Sequence, residues 1–337
     1  MWRWIPEREI TTAETAGKPA QLQKGSDRLW NPVNSPPPEG NKLRYYCAGK
    51  GSRTVVLLHA QGTSSESYFA VAKQLEKTAA VLLIDCYGHG GSSHDAKLYR
   101  LEKIGDDVYS LIRHLTDKSI TLVGHSSGGL IAVYIAATYP CCCEKLILED
   151  PPFFASSGAR RFSTYNYLDL STVCHEFLHQ TQERDFVLYY FAHQYAWNFF
   201  PEKDREKIRA RLTQNARRYR RKHPEKPLKV LFWPRSALEA FKGMNTYDPA
   251  FGEAFYTDSF HAHIDYEKLL QKIACPTLFL KAKTSIGENG IQLCALTEED
   301  VNRVRSLIPD CEVLHFNCGH SIHVEKKKDF LKILQAR

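Results

Sequence analysis

Ser126 has the setting that most directly suggests chemistry. It lies at the centre of Gly124-His125-Ser126-Ser127-Gly128. The four residues 120–123 form a short β-branched and apolar run that reads as a buried strand, and 130–137 is apolar, Ala-rich and helix-compatible. A serine on so tight a strand-to-helix turn must adopt strained backbone angles, and glycines two positions either side remove the side chains that would collide. The hydroxyl is then presented as a nucleophile, while the Ser127 N–H at the helix start can meet a developing oxyanion. The alternative for the same residues is a purely structural turn.

A nucleophile so placed needs a scaffold on both sides. Strands are expected at 42–47, 54–59, 80–85 and 145–149, with helices at 65–77 and 101–115. Strands alternating with helices imply a mostly parallel sheet flanked by helices, with right-handed crossovers. The alternation breaks over 153–267, where aromatics, arginines and helical stretches dominate. It resumes with a helix at 266–273, a strand at 276–281, a helix at 298–307, a strand at 312–316 and a closing helix at 326–335. The expected organisation is an N-terminal arm (1–40), an α/β core (41–152 and 268–337) and a mainly helical cap (153–267). Pro32, Pro36, Pro37 and Pro38 make the arm irregular, while Trp2, Trp4 and Trp30 suggest that parts of it pack down.

Composition narrows the classes. The chain has 337 residues, 43% of them hydrophobic, and a net charge of +7 spread widely. No apolar run is long enough to span a bilayer, and the first residues lack the apolar stretch of a secretory signal. Ten cysteines occur without a C-x-x-C pair, so reduced thiols in a cytoplasmic protein are expected rather than a zinc site. His261, His263 and Asp265 have a metal-like spacing but read as hydrogen-bonding groups at a domain hinge; no metal is expected. The basic stretch 203–229 reads as a solvated helix face, with no recognition fold for nucleic acid beside it.

Four separated motifs resemble the α/β-hydrolase superfamily. His59-Ala60-Gln61-Gly62 closes an early strand where that family places its oxyanion loop. Asp85-Cys-Tyr-Gly-His-Gly-Gly-Ser-Ser resembles its D-x-x-G-x-G-x-S turn, residues 124–128 its nucleophile turn, and Gly319-His320 the pair that carries its catalytic histidine. The resemblance implies Ser126 as nucleophile, His320 as base, and backbone donors at Ser127 and Gln61. The acid departs from the pattern: Ala282-Lys283-Thr284-Ser285 has no carboxylate where G-x-x-D is usual. Haloalkane dehalogenases and mycotoxin lactonases carry the acid after the strand that follows the nucleophile helix, which here offers Glu149 and Asp150. Glu149 falls in register, Asp150 is its rival, and Glu288 is a further alternative. His323 is a local rival to His320, although its neighbours suggest that it opens the last helix.

The expected function is hydrolysis of an ester, lactone or related acyl bond in a fairly apolar small molecule, without a cofactor. His125 and the aromatics of the cap, Phe153, Phe154, Tyr165, Trp197 and Phe199 among them, would wall the substrate pocket or form the cap's own core. C–C bond hydrolysis or cofactor-free oxygen chemistry on the same site, or a receptor with little turnover, remain alternatives. The partners expected are the small-molecule substrate and, as an open alternative, a second copy of the chain; neither nucleic acid nor a membrane span is expected.

Overall fold

Eight strands form one sheet in the computed structural model, which describes residues 32–35, 40–230 and 235–336. They are β1 (Pro32–Ser35), β2 (Leu43–Ala48), β3 (Thr54–Leu58), β4 (Ala80–Ile84), β5 (Ile120–His125), β6 (Cys143–Glu149), β7 (Thr277–Lys281) and β8 (Cys311–His315). Their order across the sheet is β1-β2-β4-β3-β5-β6-β7-β8. β1 and β2 run antiparallel and the remaining six are parallel, as the alternating pattern implies. β1 differs from the irregular arm expected there: residues 32–35 pair with β2 as an edge strand, where a proline costs no interior ladder bond. The rest of the expected arm, with Trp2, Trp4 and Trp30, lies outside the described residues.

Helices α1 (Phe69–Leu75), α2 (Leu101–Leu115) and α3 (Ser127–Thr138) belong to the first half of the sheet. Between β6 and β7 come α4 (Thr172–Leu178), α5 (Phe186–His193), α6 (Glu202–Lys222), α7 (Arg235–Met244), α8 (Pro249–Tyr256) and α9 (Tyr266–Gln271). The chain closes with α10 (Glu298–Leu307), α11 (Ile322–Glu325) and α12 (Lys327–Gln335). Because strand side chains alternate, each strand serves two cores. Val56, Leu82, Leu122 and Leu148 face α2 and α3, while Leu57, Leu83, Val123 and Ile147 face α1 and α12. α3 is buried almost all round, which explains why its sequence lacks a polar stripe.

The inserted segment is fastened to the loops at the C-terminal ends of the strands. A Cβ on Gly243 would stand 2.4 Å from Thr63 Cα, so α7 lies backbone-close over the loop after β3. Asp248 accepts from Tyr99 Oη at 2.5 Å, and its N–H donates to Gly88 O at 2.8 Å. At the far side, Arg160 forms a two-pronged pair with Asp300 at 2.5 and 2.6 Å. Among the described residues no helix is long and apolar enough to cross a membrane.

Candidate active site

β5 ends at His125, and Ser126 follows with φ 53° and ψ −118°, a conformation ordinary residues avoid. Its surroundings enforce it. The Ser126 N–H donates to Glu149 O at 3.0 Å, and Ser126 O accepts from Gly129 N at 2.8 Å. A Cβ at Gly124 would meet Gly128 O at 2.3 Å, and one at Gly128 would meet Leu58 O at 2.4 Å. The serine is half-buried, and Ser127 opens α3, so its amide has no partner within the helix.

The two carboxylates after β6 go to different histidines. Asp150, at φ 48°, departs from strand geometry, and its Oδ2 accepts from His320 Nδ1 at 2.8 Å. Its Oδ1 accepts from the Ala282 N–H at 3.3 Å. His320 is held on the other side by its own carbonyl, which accepts from His125 Nε2 at 3.0 Å, and the two rings are 4.7 Å apart. With Nδ1 on Asp150, Nε2 is the nitrogen left for chemistry. The carboxylate that the register favours, Glu149, bonds His323, while Asp150 bonds His320. Glu149 pairs across the sheet with His125 and shares the face of Ile147, so its side chain enters the α1 and α12 layer. There it accepts from His323 N and Nδ1, each at 2.8 Å, and from Tyr68 Oη at 3.1 Å. Burial alone would raise the Glu149 pKa, but the His323 and His125 rings and the hydrogen bonds outweigh it and hold the carboxyl down to about 2. Glu288 lies in a short turn on the loop after β7. His323 sits in α11, consistent with its neighbours, and its Nε2 is buried without a hydrogen-bond partner among the described residues. His125, Glu149 and His323 bring potential ligand atoms within 4.8 Å of one another. The Glu149 oxygens are already occupied as acceptors, so the cluster is a hydrogen-bonded network.

Two further histidines brace the loop after β3. His59 Nδ1 donates to Ala60 O at 2.9 Å and Nε2 accepts from Cys86 N–H at 3.0 Å. His89 Nδ1 donates to Tyr87 O at 2.9 Å, and Nε2 accepts from Gly62 N–H at 3.1 Å. An amide N–H can only donate, so each Nε2 keeps its lone pair while Nδ1 carries the proton; both rings are therefore neutral, and burial pushes both pKa values down. Asp85 anchors the same turn by accepting from Ser65 N at 2.9 Å and Gly91 N at 3.1 Å. Gln61 spends its side-chain amide on Tyr247 Oη at 2.9 Å. His89 and Tyr247 carry no role in the sequence reading. A histidine between glycines in the 85–93 turn is the signal for the first; nothing local marks the second.

A cavity of about 300 Å³ opens beside His320 and Asp150. Its walls include Tyr165, Phe199, Leu293, Cys294, Cys318 and Lys283. Phe153 and Trp197, expected on a pocket wall, are instead buried in the core: Phe153 packs on Tyr266, and Trp197 Nε1 donates to Phe191 O at 2.7 Å. Phe154 lies under the Arg303 guanidinium, 4.5 Å from its ring. Position explains the difference, because Phe153 directly follows the acid-bearing turn and is drawn beneath the insertion. His261 Nδ1 bonds Tyr266 Oη at 2.7 Å, and Asp265 caps α9.

A mostly parallel sheet carrying a strained serine between its central strand and helix, with a carboxylate-bound histidine against His125, the residue before that serine, defines an α/β-hydrolase. The chain belongs to that family: the profile of the alpha/beta hydrolase fold matches residues 53–327. Among curated proteins it is similar to a "Putative esterase/lipase" of Haemophilus influenzae, 34% identical over 28% of this chain and 33% of that protein. It is also similar to a "Probable serine hydrolase" of Drosophila melanogaster, 26% identical over 43% of this chain and 45% of that protein. The matched region thus spans less than half of either relative. Among solved structures, a hydrolase from Pseudomonas aeruginosa superposes with a TM-score of 0.63 at 19% identity, covering 90% of this chain and 97% of that one.

Proposed function

We propose that the protein is a serine hydrolase acting on an ester, lactone or related acyl bond of a fairly apolar small molecule, with Ser126, His320 and Asp150 as its triad. The carrying observation is the Asp150–His320 hydrogen bond at the edge where Ser126 is presented. Asp150 fixes the tautomer with the proton on Nδ1, so Nε2 is a base. Ser126 Oγ attacks the acyl carbon as its proton passes to His320 Nε2. The oxyanion is met by the Ser127 and Gln61 N–H groups. Collapse expels the alcohol, which takes the proton from His320; water, deprotonated by the same nitrogen, then releases the acid and restores Ser126. The inserted segment acts as the cap, and the cavity beside His320, lined by Tyr165 and Phe199, receives the apolar part of the substrate.

A panel of chromogenic acyl esters and lactones tests this reading. Turnover with a pre-steady-state burst, abolished in Ser126→Ala, is the expected result. Ligand binding without turnover across the panel would favour a receptor instead.

A further inference from the structure

α6 carries charge that the proposed reaction does not use. Ile208, Leu212, Ala216 and Tyr219 recur at helical spacing and turn toward the core of the insertion. Lys203, Lys207, Arg211, Arg218, Arg221 and Lys222 recur on the other side, and all six are exposed. Among the described residues none of these six forms an ion pair. The available carboxylates go to the other arginines: Glu206 to Arg209 at 2.6 Å, Glu183 to Arg217 at 2.6 Å, and Asp185 to Arg220 at 2.8 Å. Glu202 and Asp204 sit in the first turn, where the helix dipole favours them. The helix is therefore sorted into arginines with partners and an outward cationic row about 30 Å long, at 1.5 Å per residue.

One end of that row meets apolar surface. Phe199, four residues before Lys203, is 59% exposed and stacks on Tyr165 at 6.1 Å, and both line the cavity beside His320. Ile286, 53% exposed, is next in the chain to Ser285, which lines the same cavity. Cations beside exposed apolar side chains are what an anionic lipid headgroup layer over acyl chains would match. A nucleic acid would match the charge but leave the apolar rim and cavity without a partner.

We propose that this face docks on an anionic lipid bilayer, with the α6 row along the headgroups and Phe199 and Ile286 in the interface. Resting on the hydrolase reading above, the substrate is then an acyl ester of a lipid that enters the cavity from the membrane surface.

Cosedimentation of the full chain with lipid vesicles tests the docking without turnover. Vesicles of phosphatidylcholine containing about 30% phosphatidylserine should bind at least about ten-fold more protein than phosphatidylcholine alone, and about 0.5 M salt should remove the difference. The triple variant Arg211→Gln, Arg218→Gln, Arg221→Gln should lose roughly a hundred-fold in partitioning, each cation contributing about five-fold. Its hydrolysis of a soluble short-chain ester should be unchanged. Phe199→Ser with Ile286→Ser should weaken binding while preserving its salt dependence. Equal binding to both vesicle types, a triple variant that binds like the parent, or retention by nucleic acid without vesicle binding would overturn the proposal. Anionic-vesicle binding by a chain that hydrolyses no ester would remove the hydrolase reading and leave the docking standing.

Discussion

Glu149 and Asp150 are consecutive residues, yet each holds a different histidine at 2.8 Å, His323 and His320 respectively. Strand alternation sends Glu149 into the layer between the sheet and α12. The positive φ of Asp150 turns its carboxylate back over the strand ends. Glu149 and His323 are buried, whereas the His320 side chain is 41% exposed at the cavity. The first pair is enclosed by the fold, and the second is the one the proposed mechanism uses to move protons.

Asp150→Asn should lower kcat for an acyl ester by about 10³- to 10⁴-fold, the loss typical when a triad histidine is left in the wrong tautomer. Its melting temperature should stay within a few degrees of the parent. Glu149→Gln should do the reverse, leaving His323 and Tyr68 badly matched and costing about 3 to 5 kcal/mol of stability. Denaturant titration and kcat measured on both variants decide the matter. Equal losses of kcat at the two positions would contradict the assignment.

Acid should destabilise the protein before it protonates most carboxylates. Burial, more than any other influence, holds the His125 pKa down at about 3 against an ordinary 6.5. Between those values the unfolded chain binds a proton that the folded chain excludes, so stability falls as pH drops from 6.5 toward 3, by up to about 1.4 kcal/mol per pH unit. Glu149, held near 2, contributes stability that is fully present above its ordinary 4.5 and is lost as pH falls through 2. Urea midpoints measured between pH 7.5 and 4 should therefore decline, and His125→Asn should flatten the slope. A level profile in the parent protein would count against this.

His89 should matter to rate without touching substrate. As the acceptor for the Gly62 N–H, it braces the loop that carries Gln61, the second oxyanion donor of the proposed mechanism. His89→Phe should lower kcat about ten-fold and leave KM within two-fold, because misaligning an oxyanion donor weakens the transition state more than the ground state. A change in KM alone would assign His89 to substrate binding.

Phe199 should set chain-length preference. Removing its ring exposes apolar substrate surface worth roughly 25 cal/mol per Å². Phe199→Ala should reduce kcat/KM for long acyl esters by about ten-fold and spare acetyl esters. An unchanged ranking across a matched ester series would separate the cavity from specificity.

The fold was legible because its signals are local. The apolar runs read as strands at 54–59, 80–85, 120–123 and 276–281 have strand length, and each falls on one of the parallel strands β3, β4, β5 and β7. Ser126 was legible for the same reason, since two glycines within five residues mark the turn. The partner of His320 was not, because choosing between Glu149 and Asp150 requires the backbone angle at which β6 ends. Which aromatics face the cavity was equally hidden. Phe153, Trp197, Tyr165 and Phe199 are all aromatic, and only the path of the chain after Pro151 separates a core ring from a wall. β1 is hidden in the sequence because its proline reads as a strand breaker except at a sheet edge.

The central claim, that His320 oriented by Asp150 activates Ser126, is tested most directly by mapping the adduct of a fluorophosphonate by peptide mass spectrometry at neutral pH. Stoichiometric modification of Ser126, absent in Ser126→Ala and slowed at least about 10³-fold in Asp150→Asn, is the expected result. Labelling of another residue, or undiminished labelling of Ser126 when Asp150 is replaced, would contradict it.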